Sequence, residues 1–185
     1  MTPEFDKIFI SHPVDMPQVM VHAALADFHA AEIPLQIDAR EPQPMAAMED
    51  YIPTAIVLII AKPFLDAFLK KAGEDAYGKL KQAVIRCYSV ARTITVTFFV
   101  SAAKKAGRSP FSRTFSVYSK AADGTSIKFL FSTETTDQSL DVATGKMLEL
   151  IRAGGPPLPS TEHQRMVVLL VYDVPTSTWQ PKSMI

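Results

Sequence analysis

Thr54-Ala55-Ile56-Val57-Leu58-Ile59-Ile60-Ala61 is an apolar run set between Pro53 and Lys62-Pro63. Eight residues are too few to cross a bilayer. β-Branched side chains between two breakers read instead as a strand buried on both faces. Such strands belong to parallel sheets covered by helices, so the flanking segments should supply helices and further parallel strands.

Upstream, Lys7-Ile8-Phe9-Ile10 is a short apolar run leading into Ser11-His12-Pro13, a first strand and its exit loop. Asp15 is placed as an N-cap, with Gln18 three residues on completing a capping-box pattern. Met16, Val19, Met20, Ala23, Ala24 and Phe28 then share a helical face, and Pro34 requires that helix to stop near Glu32. Leu35, Ile37 and Ala39 alternate with Gln36, Asp38 and Arg40, the pattern of a second strand nearer a sheet edge. Residues 40–44 form a loop, and Ala46 to Tyr51 at most a short helix.

Downstream, Phe64, Leu65, Phe68 and Leu69 mark a helical stripe that Gly73 interrupts. Tyr77, Leu80, Val84 and Ile85 continue it to about Tyr88. Ile94, Val96, Phe98 and Val100 alternate as a strand, and Ala102 to Arg113 read as a loop. Two further alternating runs, Thr114–Ser119 and Ser126–Ser132, flank Asp123-Gly124, a strong hairpin signal. Asp137–Ala153 is an amphipathic helix with Leu140, Ala143, Met147, Leu150 and Ile151 inward and Gly154 as its stop. After the linker at 154–160 come the apolar strand Met166–Tyr172, a turn over Asp173–Ser177, and Thr178-Trp179-Gln180. The expected fold is one α/β domain over 1–185: an open, mainly parallel, flavodoxin-like sheet flanked by helices. Its parallel half occupies 1–92; 93–185 adds a β-hairpin insertion and a C-terminal hairpin.

Composition narrows the function. Hydrophobic residues are 48% and charged residues 21% of the 185, ordinary for a globular chain. Nineteen basic residues balance nineteen acidic ones, which argues against a dedicated nucleic-acid binder. The single cysteine, Cys87, cannot pair within the chain and points to a reducing, cytoplasmic setting. The acidic N-terminus is unlike a signal peptide, and no run approaches membrane-span length.

Lys7-Ile8-Phe9-Ile10-Ser11-His12 resembles the opening strand of TIR domains, the Toll/interleukin-1 receptor modules, where an apolar strand ends in Ile-Ser-His or Ile-Ser-Tyr. Ile56 to Ala61, running into Lys62-Pro63-Phe64-Leu65-Asp66-Ala67-Phe68, is similar to the third TIR strand and its Ser-x-x-Tyr/Phe-Leu-x-Ser helix. Order and spacing correspond over about residues 5–88, giving a TIR-like sheet as the implied fold. In the catalytic members a Trp and then a Glu follow, and that glutamate cleaves the nicotinamide–ribose bond of NAD. Here Ala61 and Ala67 replace the serines, Leu69 takes the Trp place, and Gly73 falls where the glutamate belongs. Glu74, one residue late, is the catalytic candidate; on a continuous helix that shift turns a side chain by about 100°. NAD enters as a substrate only, and no cofactor is implied.

An open α/β sheet binds ligands beyond the carboxyl ends of its parallel strands. That crevice would collect Ser11, His12, Arg40, Glu41 and Lys62, residues equally at home in solvated loops. His22 and His29 stand two turns apart on one helix, too far to share a metal, and no Cys/His cluster has zinc spacing. No Gly-rich phosphate loop follows a strand. Lys104, Lys105, Arg108 and Arg113 read as a solvated basic loop. Met45 and Met48 lie among Pro42, Pro44 and Pro53, in the loop that often supplies TIR contacts. They are candidates for an interaction surface, or for folding back beneath Tyr51. The implied function is an interaction and signalling module acting through self-assembly, as a homo-oligomer or with another TIR-like domain. The alternatives are an NAD-cleaving hydrolase using Glu74 and a small-ligand or nucleotide sensor using the crevice.

Overall fold

In the computed structural model, residues 6–41, 54–73, 75–94, 111–120, 124–156 and 167–182 are described. They form β1 (Ile8–Pro13), α1 (Gln18–Ala30), β2 (Leu35–Arg40), β3 (Ile56–Ile59), α2 (Lys62–Ala72) and α3 (Asp75–Ala91). The second half supplies β4 (Phe111–Lys120), β5 (Ser126–Ser132), α4 (Asp137–Ala153), β6 (Val167–Asp173) and β7 (Thr178–Lys182). All seven strands join one sheet in the order β2-β1-β3-β4-β5-β6-β7. Its first five strands follow the flavodoxin order, and the fold is the open α/β sheet with helices that the apolar runs demand.

Strand direction departs from expectation. β1 and β2 are parallel, as are β3 with β4 and β5 with β6. β3, however, runs antiparallel to β1, with Phe9 opposite Ile59 and Ser11 opposite Val57. The expected parallel pairing of Lys7–Ile10 with Thr54–Ala61 is therefore corrected. A two-sided apolar run states that a strand is central and is silent on which way it points, because burial has no polarity. β4 pairs antiparallel with β5, and β6 with β7, so both expected hairpins exist. The first is no appendage: it occupies the middle of the sheet.

The registers sort side chains onto two faces. Ile10, Leu58, Val117, Phe129 and Leu170 form one row across five strands. That face is covered by helices: Tyr88 of α3 sits on Phe115 and Phe131 at 5.6 and 4.9 Å between ring centroids. Trp179 packs on Phe129, Phe131 and Tyr172, and its indole N–H donates to the Ala143 carbonyl of α4 at 3.0 Å. α3 packs against α1, α2 and α4, so the described helices share one layer. The other face carries Ser11, Val57, Ser116 and Leu130 in its middle row.

Local chemistry sets the helix boundaries. α1 starts after Pro17, whose carbonyl accepts from Met20 and Val21. No side chain caps it, so the expected Asp15 cap and its partner Gln18 are corrected. The inward residues are Val21, Ala24, Leu25 and Phe28, while Val19 is 73% exposed. Apolar residues surround this helix, which left its phase undetermined by periodicity. Gly73, at φ +81°, ends α2, and α3 starts at Asp75, the expected interruption. α4 spans the expected residues, with Thr136 and Ser139 as a reciprocal cap and Gly154 left-handed at its end. Its buried face takes in Thr144 and Leu148 beside Leu140, Ala143, Met147 and Ile151, with Leu150 half-buried. β4 begins at Phe111, so the end of the expected loop at 102–113 is strand. Of the expected strand over 93–100, Thr93 and Ile94 instead lie in the turn that ends α3, their N–H groups donating to the Val90 and Ala91 carbonyls; residues 95–100, the short helix at 46–51 and the turn residue Asp123 lie outside the described residues.

Gly124 follows that turn at φ +87°, with open space where a Cβ would stand. The obstacle to a side chain is thus the backbone conformation alone. Gly124→Val is expected to destabilise the domain by about 1 kcal/mol or more, read as a lower urea midpoint. An unchanged midpoint would refute the conformational requirement.

Candidate functional site

The antiparallel course of β3 divides the expected crevice. Ser11, His12, Arg40 and Glu41 stand at the carboxyl ends of β1 and β2. Lys62 follows β3, whose carboxyl end lies beside the start of β1, at the opposite end of the sheet. There its ammonium donates to Asp66 at 2.6 Å, an i,i+4 pair on an exposed flank of α2. Lys62 is removed from the ligand set on that ground. His12 is buried on the helix-covered face, and its Nδ1–H donates to the Pro13 carbonyl at 2.8 Å. Ser11 points to the other face, where its hydroxyl is buried without a hydrogen-bond partner among the described residues. Glu41 is exposed. Glu74, Met45 and Met48 lie outside the described residues, as do Lys104, Lys105 and Arg108.

What the structure does assemble is a polar group on the face opposite the described helices. The Arg40 guanidinium donates to the carbonyls of Thr54 and Ala55 at 3.1 and 2.8 Å, bracing β2 against the start of β3. The hydroxyls of Thr54 and Ser116 share a hydrogen bond of 2.5 Å, joining that start to β4. Tyr118 and Lys128 are direct cross-strand neighbours on β4 and β5. The Lys128 ammonium lies 5.1 Å from the Tyr118 ring centroid, over the electron-rich face that attracts a cation.

Lys128 is 0% exposed. Burial, reinforced by the positive charge of Arg40, pulls its amine down to about 7. Sequence alone hid this residue. In Ser126-Ile127-Lys128-Phe129 a lysine between apolar neighbours reads as the water-facing member of a half-buried strand. Its burial shows only in the folded sheet, where Lys128 stands between Tyr118 of β4 and Leu169 of β6 and is out of contact with water. Cys87 is the opposite case: fully buried, with its thiol pushed up to about 12 by desolvation, it is a core residue and no nucleophile. His22 and His29 are exposed on α1 as expected, and no group of three or more metal-ligating side chains exists among the described residues. No described helix is long and apolar enough to cross a membrane. A shallow groove of about 390 Å³ runs between α1 and α3, lined by Val19, Met20, Ala23, Arg86, Val90 and their neighbours.

Arg40, Thr54, Ser116, Tyr118 and Lys128 thus tie four strands together on one face and place an amine where protonation is costly. The unfolded chain holds the Lys128 proton up to about pH 10.4, the native chain only to about 7. Between these values the unfolded state binds more protons, so this residue makes stability rise with pH and fall as pH drops toward 7. Below 7 both states are protonated and the dependence ends. Lys128→Met is expected to remove this component. From pH 7 to pH 9 the wild type should gain about 1–2 kcal/mol over the variant, measured by urea unfolding at both pH values. Parallel pH profiles would refute the assignment.

Compared with protein-family models, curated proteins and solved structures, the chain matches none.

Proposed function

We propose that this chain is a homotypic interaction module, acting through self-association of its α/β domain rather than through turnover. The observation that carries the reading is β2. It is an edge strand of six residues, exposed at every position but the half-buried Leu35. An edge strand offers a row of backbone donors and acceptors that another strand can complete. Ile37, at 45% exposure, adds an apolar side chain in the middle of that edge. The Ser11-His12 strand end and the β3–α2 passage that resemble TIR domains favour the same class of function. Its partner is a second copy or a related domain.

Light scattering after gel filtration at several loading concentrations tests the reading. The expected result is a mass that climbs above the monomer value of 20.4 kDa as concentration rises. A monomer at every concentration would defeat it. Incubation with NAD separates the enzymatic alternative, since cleavage abolished by Glu74→Ala would replace assembly with catalysis as the function.

A further inference from the structure

The direction of the β2 backbone groups specifies more than an exposed edge. Ile8 N–H donates to the Pro34 carbonyl and Val14 N–H to the Arg40 carbonyl, both across the β1 side. Backbone groups alternate in direction along a strand, so Gln36 and Asp38 also face β1. Leu35, Ile37 and Ala39 therefore aim their N–H and C=O groups outward, away from the sheet. Their side chains stand on the helix-covered face, opposite Ile8, Ile10 and His12 of β1. Leu35 packs against the core there, while Ile37 and Ala39 remain exposed.

We infer that the partner is a second copy of this chain, joined antiparallel through β2 about a two-fold axis at Ile37. This rests on the self-association reading above and names its partner and register. Centred on Ile37, the pairing sets Ile37 against its mate and Leu35 against Ala39, and every outward group between Leu35 and Ala39 finds a partner, about six hydrogen bonds in all. The apolar side chains then form one strip on the helix side. On the opposite face Gln36 meets Asp38, an amide that donates to a carboxylate. Registers shifted toward the carboxyl end are poorer. An axis at Asp38 opposes two carboxylates, which is repulsive in a directly facing pair. An axis at Ala39 sets Ile37 against Glu41. The arrangement is isologous, closes after two copies, and leaves β7 as the outer edge on each side.

The axis stands perpendicular to the sheet, so each α1 comes to lie on the same side as its mate. The charges of Asp38 and Arg40 project to the other face, where Arg40 is held by Thr54 and Ala55. The pairing asks nothing of Arg40, and the fold need not rearrange to form it.

Two substitutions probe the register. Ile37→Pro deletes an outward N–H and no bond to β1, a position that an edge strand tolerates. It is expected to raise the dimer dissociation constant at least tenfold while circular dichroism stays that of wild type. Ile37→Cys places two thiols across the axis with Cα atoms about 5.5 Å apart, within disulfide reach. Mild oxidation should then give a covalent dimer, and Cys87 is buried and does not compete. Leu35→Cys should not cross-link to itself, because its mate stands about 13 Å away. If the protein self-associates but Ile37→Pro still does, or Leu35→Cys cross-links as readily as Ile37→Cys, the register is overturned and self-association survives. A monomeric wild type with no Ile37→Cys cross-link overturns both.

Discussion

The aromatic-rich face of the sheet beneath the described helices has to be hidden from water, and much of the molecule follows from how that is done. Ile10, Leu58, Val117, Phe129 and Leu170 cross five strands in a single row. Phe115, Phe131, Tyr172 and Trp179 extend the same apolar surface. Burying aromatic rings of this size is the largest favourable contribution a domain of this length can draw on. It fixes α3 over β4 and β5 and α4 beside β7. Tyr88 of α3 joins helix to sheet through its ring contacts with Phe115 and Phe131 and a hydrogen bond to the Ser132 carbonyl, and Trp179 of β7 donates to the Ala143 carbonyl of α4. Salt bridges between Lys81 and Asp141, and between Arg92 and Asp137, add a modest surface tie between the same helices.

The opposite face obeys a different rule. It carries a lysine that is fully removed from solvent, beside a tyrosine ring and within the field of an arginine. A buried amine is destabilising unless its surroundings favour the charge or it gives up its proton, and the lowered affinity of Lys128 for its proton records that conflict. The hydroxyl pair of Thr54 and Ser116 and the two carbonyls held by Arg40 satisfy polar groups in the same region. Stability and pH are coupled on this face.

The proposed self-association draws on neither face. The edge at β2 is open because α1 shields β1 fully and β2 only in part. Ile8 and Ile10 are buried, while Ile37, their neighbour on the same face, is half in water. A second β2 strand would extend the sheet and cover Ile37 at once. The proposed assembly needs no change in the packed core.

Much of the fold was legible in the chain. The apolar run at 54–61 announced a central strand, Gly73 a break between helices, and Gly154 the end of α4, since burial and a left-handed backbone each leave a mark on single residues. The alternation at 35–40 identified β2 as nearer an edge. Three things were not legible. The direction of β3 was hidden because a buried strand shows the same residues whichever way it runs, and with it went the separation of Lys62 from Ser11, His12, Arg40 and Glu41. The phase of α1 was hidden because apolar residues surround it. Lys128 was hidden because its neighbours along the chain promise an exposed face, while in the folded sheet it is fully buried. Among the described residues, the sequence by itself determined where most strands and helices lie, through periodicity and breakers. Only the tertiary structure decided which strand ends meet and which charge is buried, because both depend on pairings between residues far apart in the chain.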